Sequence, residues 1–326
     1  MDRIIKFTEK RIVAIGGGTG LSVLLRGLKE KTPNITAIVT VADDGGGSGK
    51  LREDLGMLPP GDIRSCLVAL ANTEPSMAKL LQYRFKEGSL KGQSFGNLFI
   101  AAMNEIYGSF EKAVEETSNV LKITGKVLPV TIDNVSLIAE LEDGTIIRGE
   151  SKIPSLAKER KSKIKRIRTD PEISYPLKEV IDAIINADII VLGPGSLYTS
   201  IIPNLLVKDI VESIKNSKAK VVYVCNIMTQ PGETDNFHIK DHVEAILNHS
   251  IDGFLDYCIV NEKQIPTNVL NKYIKDNAKP IYPSESDVMY LNEKGISLIS
   301  DDFIKIEDNL IRHDTKKLAN TIISLI

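Results

Sequence analysis

Four glycine-rich or polar segments follow short apolar runs in this sequence, and their residue types suit the binding of a phosphorylated ligand. The first is Gly16-Gly17-Gly18-Thr19-Gly20, between the run Arg11–Ile15 and a stretch of helical period from Leu21 to Lys29. Glycine leaves no side chain between backbone N–H groups and an incoming phosphate, and the helix that follows presents its positive end. Leu21 stands where the dinucleotide fingerprint GxGxxG has its third glycine, so a tight turn without a ligand is the competing account.

The second segment, Val41-Ala42-Asp43-Asp44-Gly45-Gly46-Gly47-Ser48-Gly49-Lys50, ends the run from Ile35 with two acids and a loop of almost no apolar content. Asp43 lies 23 residues beyond Gly20, near the spacing at which an acid meets a ribose in nucleotide-binding folds. Asp44 could instead orient Mg²⁺ or accept a proton, and either acid could simply cap a turn. Asp44 and Leu51 break the Walker A pattern that Gly49-Lys50 suggests. Lys50 and Arg52 are candidate phosphate contacts on a mobile lid, or plain surface charges. In Pro59-Pro60-Gly61-Asp62-Ile63-Arg64, Asp62 is placed to cap a helix whose first turn carries Arg64. A cation there opposes the helix dipole by about 0.3–1 kcal/mol, a mismatch relieved by a bound anion or by Asp43, Asp44 or Asp62.

The third segment, Leu192 to Ser200, contains Gly193-Pro194-Gly195-Ser196, with Ser196 as a helix cap and a second cradle for phosphate or sugar. It lacks the GxSxG spacing of a nucleophile elbow. The fourth, Cys225 to Thr234, offers Asn226, Thr229 and Gln230 to a base or sugar edge, or forms a structural turn. His238 and His242 are four apart with His249 beyond, a spacing that could hold zinc. No Cys or HExxH Glu accompanies them, and a capped, solvated helix is the better account, so no metal site is assigned. Cys66, Cys225 and Cys258 each sit in an apolar run without a nearby base in sequence, as thiols in the core of a reduced protein do.

The elements that must position these loops alternate between β-branched runs and helical periods, which predicts a parallel sheet. Strands are expected at 11–15, 35–41, 189–192, 221–225 and 257–260, with KPIYP at 279–283 a further extended run. Helices are expected near 63–70, 98–106, 177–186, 205–215 and 316–326. Around Glu142-Asp143-Gly144 the pattern changes to VSLIAEL and TIIRGESKI, a hairpin. The expected fold is α/β, a Rossmann-like, mostly parallel sheet with helices on both faces. The whole of 1–326 reads as one domain, with a small antiparallel β insertion at 126–168.

Composition narrows the function classes. The 326 residues are 42% hydrophobic and 26% charged, so disorder and a disulfide scaffold are poor descriptions. A net charge of −2 gives no global attraction for nucleic acid or anionic lipid, so any anion must be held locally. Trp is absent and aromatics are 5%, too few to form stacking platforms for single strands. Residues 158–168, KERKSKIKRIR, hold seven Lys/Arg and one Glu, a solvated face or a partner contact. Near the N-terminus the apolar stretch Ile12–Ile15 is too short for a signal or a membrane span, so a cytoplasmic location is expected.

GGGTG, VADDGGGSGKLRED, PPGDIR, FGNL, VLGPGSLYTSIIPN, CNIMTQPGET with DHVEAI, and LIRHD run in order from Gly16 to Asp314. Together they resemble the YvcK family of gluconeogenesis factors, and more remotely the CofD-type phospholactate transferases. The resemblance implies binding of nucleotide sugars of the UDP-N-acetylglucosamine type, in proteins that link gluconeogenic growth to cell-wall synthesis and cell shape. Carried over by motif, the implied ligand contacts are Gly17, Gly18, Thr19, Asp43, Asp44, Arg64, Asn97, Gly195, Ser196, Asn226, Thr229, Gln230 and Arg312. Gly20 and Lys50 join them on the readings above. Two departures stand out. The family's usual GGSSGR appears as Gly45 to Lys50 with one hydroxyl and a guanidinium lost, and Gln93 replaces a common His, which removes proton transfer there.

Two function classes follow. One is a nucleotide-sugar-binding regulator, with phosphates over Gly16–Gly20 and Asp43 or Asp44 facing the ribose or sugar. The other is a CofD-like nucleotide-dependent transferase in which Asp43, Asp44 or Asp62 acts as base or metal ligand and Arg64 stabilises phosphate charge. An NAD-dependent oxidoreductase is a third, opposed by the broken fingerprint. No cofactor is demanded by the pattern, with Mg²⁺ the one candidate. Expected partners are a UDP-sugar or related nucleotide, a second copy of the chain and a protein partner, without nucleic acid.

Overall fold

The computed structural model describes residues 8–307 and 309–326. The first three strands are β1 (Ile12–Gly16), β2 (Ile35–Val39) and β3 (Lys126–Pro129). Next come β4 (Ser136–Leu141), β5 (Ile146–Arg148) and β6 (Ile164–Asp170), which form a separate antiparallel sheet in the order β5-β4-β6. The chain then returns through β7 (Ile189–Leu192), β8 (Lys220–Val224), β9 (Tyr257–Asn261) and β10 (Ser297–Asp301). A short hairpin, β11 (Ile304–Glu307) with β12 (Leu310–His313), precedes the final helix Thr315–Ile323.

The main sheet has seven strands in the order β10-β9-β8-β7-β1-β2-β3, every pair parallel. Parallel pairing buries both faces, which is why β1 and β7 read as unbroken apolar runs. The chain builds outward one way from β1 through β2 and β3, and the other way from β7 to β10. The order therefore reverses between β1 and β7. In open α/β sheets the crevice beyond the strand ends at such a reversal is where ligands bind. The fold is α/β and Rossmann-like, with helices on both faces.

Several local expectations change. Lys126–Pro129 pairs with β2 as the edge of the main sheet, and Ile164–Asp170 adds a third strand to the hairpin of β4 and β5. KPIYP contributes only a single bridge, between Met228 and Pro280. The stretch 197–216 is broken into a π-turn at Leu197–Ile201 and helices Ile202–Leu205 and Ile210–Asn216.

The glycine-rich lid is instead a helix, Gly46–Leu55. Its glycines carry low helix propensity, and tertiary contacts supply what propensity lacks. Ser48 and Leu51 are buried. Arg52 is drawn inward, donating to Val135 O at 2.7 Å, Ser136 Oγ at 3.3 Å and Ala42 O at 3.5 Å. It is a staple between this helix and the antiparallel sheet, so the phosphate contact expected of it is not what the fold makes. Arg52→Ala should lower unfolding stability by about 1–3 kcal/mol in urea denaturation, the cost of leaving buried carbonyls unpaired. An unchanged midpoint would show that water replaces the guanidinium there.

Candidate functional site

The end of β1 passes directly into the helix Gly18–Leu28, so its first turn opens at the β1/β7 reversal. Two glycines there are required by close approach. A side chain on Gly17 would strike the carboxylate of Asp62, and one on Gly20 would strike the Pro194 carbonyl. The glycine turn is thus clamped between the segment after β7 and the start of the helix Gly61–Leu70.

Two cavities meet at Gly18 and Thr19. The outer one, about 560 Å³, is lined by Gly17–Gly20, Gly195, Ser196, Asn226, Thr229, Gln230 and Arg312 among the expected residues. It also takes in Met228, Tyr273, Asp276 and His313, of which Met228 and His313 lay in motifs singled out from the sequence and Tyr273 and Asp276 did not. Its polar wall is pre-organised. Asn226 Nδ2 donates to Gly195 O at 2.8 Å, and Gln230 Nε2 donates to Ser196 Oγ at 2.8 Å. Ser196 precedes the π-turn without capping it, because its hydroxyl accepts from Gln230. Thr229 is fixed by a reciprocal pair with Lys279, at 2.8 and 2.9 Å. His313 is neutral near pH 7: burial pushes it down to about 4, against a bond to the Cys225 carbonyl at 3.3 Å.

The inner cavity, about 230 Å³, is polar and lined by Gly18, Thr19, Asp43, Gly45–Gly47, Ser48, Asp62, Arg64, Arg84 and Asn97 among others. Ser48 was visible within the glycine-rich motif, whereas Arg84 lies in no motif and is placed only by the fold. Several buried polar groups here have unused bonding capacity. Asn97 uses Nδ2 on Ser48 Oγ at 3.4 Å and leaves Oδ1 unpaired, while Arg64 bonds Ser94 Oγ through Nη1 and leaves Nε unpaired. Unsatisfied buried groups of this kind mark where a polar ligand would bond.

The adjacent acids part company. Asp43 faces the inner cavity, with Oδ1 accepting from Gly45 N at 2.8 Å. Asp44 turns away and accepts from Ser151 N at 2.8 Å, tying the end of β2 to the segment after β5. They do not converge on one cation, and among the described residues no three His, Cys, Asp or Glu side chains are arranged to hold a metal. The two carboxylates, pointing apart, do not fit a shared Mg²⁺. Lys50 is exposed and lines neither cavity. Asp62 does not cap its helix; its carboxylate points to Gly17 and Gly18 instead.

Acidic side chains cluster around Asp62. Burial and then Asp43 push the Asp62 carboxyl up to about 7, opposed by the Gly18 amide and Arg64. Glu150, a residue no motif flagged, is raised by burial and then by Asp62, Asp43, Glu233 and Asp44, and its Oε2 is buried without a partner. Burial also lifts Glu233 to about 7, although it accepts from Tyr198 N at 3.4 Å and Thr199 Oγ1 at 3.3 Å.

His238, His242, His249 and the cysteines fall outside this chemistry. His238 stands at the start of the helix Ile239–Asn248, but His242 is fully buried rather than solvated. His249 accepts from Ile167 N at 2.9 Å and bonds Ala245 O at 2.7 Å. The three thiols are buried and free, and burial raises Cys66 and Cys258 well above the usual range and Cys225 to about 12.

The family model described as 2-phospho-L-lactate transferase CofD matches residues 12–304. The chain belongs to the CofD family. Within it the chain falls among the YvcK-type gluconeogenesis factors. A relative from Thermoanaerobacterium thermosulfurigenes is 58% identical over 316 residues, covering 97% of both chains. The gluconeogenesis factor of Bacillus subtilis strain 168 is 50% identical over 319 residues, 98% of each chain. The crystal structure of a UPF0052 family member from Bacillus halodurans superposes with a TM-score of 0.91 at 48% identity, covering 96% of this chain and 99% of that one. Among the described residues, no helix is long and apolar enough to cross a membrane.

The raised carboxyls set a pH dependence with a definite sign. Asp62 and Glu233 hold protons in the folded chain up to about pH 7, whereas an unfolded chain releases them near pH 4. Between those values the folded state binds more protons, so stability falls as pH rises through the window and levels off above it. Asp62→Asn should flatten that fall, seen as a smaller drop in Tm between about pH 5 and about pH 7.5 than in the parent chain. An identical drop would show that Asp62 is not the group titrating.

Proposed function

We propose that this protein is a cytoplasmic nucleotide-sugar-binding regulator of the UDP-N-acetylglucosamine type, linking central carbon metabolism and gluconeogenic growth to cell-wall synthesis and cell shape. The observation that carries the reading is the pair of cavities that share Gly18 and Thr19 in their linings. The larger has apolar and amide walls suited to a nucleoside. The smaller has the carboxylate, amide and guanidinium groups that suit a glycosyl group and its phosphate. Between them lies the glycine turn, with N–H groups at a helix N-terminus for the diphosphate. Asp43, Asn97 and Arg64 would hold the sugar end, Asn226, Thr229 and Gln230 the nucleoside end. Asp44 supports the site from behind.

A second reading, a CofD-like transferase acting on a phosphorus-containing group, is favoured by one observation. Asp62, lifted to about 7, lies against the glycine turn beside Arg64, where a proton acceptor and a phosphate clamp would both be needed.

Calorimetry with UDP-N-acetylglucosamine, GTP and NAD, followed by mass spectrometry of the incubated ligand, separates the two. Binding of the UDP-sugar without conversion supports the regulator, and a new product supports the transferase. Arg64→Ala and Asp43→Ala should each weaken UDP-N-acetylglucosamine binding by about 10- to 100-fold, as losing a hydrogen bond to a charged group does, with Lys50→Ala within about twofold of the parent. Equal affinity across all three variants would remove the inner cavity from the site.

A further inference from the structure

The basic run singled out from the sequence takes no part in the site described above. Its seven Lys/Arg and one Glu make residues 158–168 a local +6, leaving −8 on the rest of a chain whose total is −2. In the fold it occupies the last turn of the helix Ile153–Arg160, the turn after it, and the edge strand β6. Lys158, Arg160, Lys161, Lys163, Arg166 and Arg168 are all exposed. Lys165 pairs with Glu140 at 2.8 Å, but among the described residues none of those six is ion-paired. Lys163 stands 5.8 Å above the Phe237 ring. The helix dipole accounts for cations at the helix end, though not for those along β6. There the alternation that buries Ile164, Ile167 and Thr169 leaves the cations on the outer face.

The inner edge of β6 is tied to the loop after β7 and to the end of the helix Ile239–Asn248. Tyr198 Oη donates to Ile164 O at 3.4 Å, and His249 Nε2 accepts from Ile167 N at 2.9 Å. Tyr198 lies two residues beyond Ser196, and its N–H bonds Glu233 in the loop that carries Gln230. One strand therefore shows cations to solvent and holds Tyr198 of the loop after β7, which in turn bonds the loop that carries Gln230.

We propose that the outer face of residues 158–168 is a docking surface for a short acidic segment of a protein partner, and that its occupation is felt at the outer cavity through Tyr198. That last link rests on the regulatory reading above; the docking does not. Size and charge choose the partner. A seven-residue strand spans about 23 Å. A short acidic segment of that length meets only the +6 face, whereas a bilayer or a long duplex extends past it to surface carrying the remaining −8. No aromatic side chain lies within 158–168 to stack on a base.

The test is fluorescence anisotropy with a labelled oligoglutamate peptide at about 0.15 M salt. Binding is expected, weakened at least about tenfold by Arg166→Glu with Arg168→Glu, and weakened also by the milder pair Arg160→Gln with Lys161→Gln. Phosphatidylserine vesicles and a long DNA duplex are expected to bind more weakly than the peptide. The docking surface is overturned if the peptide does not bind, if both double variants bind it unchanged, or if vesicles or duplex bind better. The linkage is read as a peptide-induced change in UDP-N-acetylglucosamine affinity that Tyr198→Phe abolishes. No such change, or one that survives Tyr198→Phe, overturns the linkage alone. Failure of the UDP-sugar to bind at all overturns the functional reading and the linkage with it, while the docking stands or falls on the anisotropy.

Discussion

The architecture depends on one steric constraint: two backbone segments, the turn after β1 and the loop after β7, must touch with nothing between them. Gly20 against the Pro194 carbonyl makes that contact, and Gly17 against Asp62 brings the start of the helix Gly61–Leu70 to the same turn. Close contact brings the amides of the first helical turn, the Gly195-Ser196 segment and the acid of a third element to one point. A phosphate is an apt occupant because it needs many donors converging on a small volume, and backbone N–H groups converge only where side chains are missing.

The electrostatics follow from what is placed under that point. Asp62, Glu150 and Glu233 sit in a buried region in which burial itself disfavours their charged forms, and the neighbouring Asp43 adds like charge to Asp62 and Glu150. Arg64 and Arg84 face the same inner cavity, and Arg64 in turn is lowered by burial and then by Arg84. The region therefore holds both protons and unspent hydrogen-bonding capacity before any ligand arrives. Such an arrangement favours polar, hydroxyl-rich or phosphorylated groups over apolar ones, since an apolar occupant would leave those buried groups unpaired.

The antiparallel sheet joins the site to the surface. The segment after β5 receives Asp44 through Ser151 N, and a side chain on Gly232, in the loop after β8, would strike the Pro154 carbonyl. β6 reaches Tyr198 and His249. A piece of chain that looks peripheral in the sequence thus touches the supports of both halves of the ligand crevice.

Much of this was legible in the sequence because it depends on local rules. Apolar runs ending in glycine gave the parallel strands, and the motifs placed Gly17–Gly20, Asp43, Arg64, Gly195, Ser196, Asn226, Thr229, Gln230 and Arg312 as candidates before any fold was known. What stayed hidden depends on distance in space. Asp43 and Asp44 are chemically identical neighbours, and only the position of Ser151, 107 residues away, turns one aside and leaves the other in the cavity. Glycine content argued for a mobile lid, and Arg52 bonding to Val135 showed a fixed helix. Arg84, Glu150 and Tyr273 belong to no motif, because a side chain drawn into a site by the packing of its element leaves no local pattern. Sequence determined which residue types stand where strands end; the tertiary structure decided which of them meet, since strand order and burial are set by contacts that no spacing along the chain encodes.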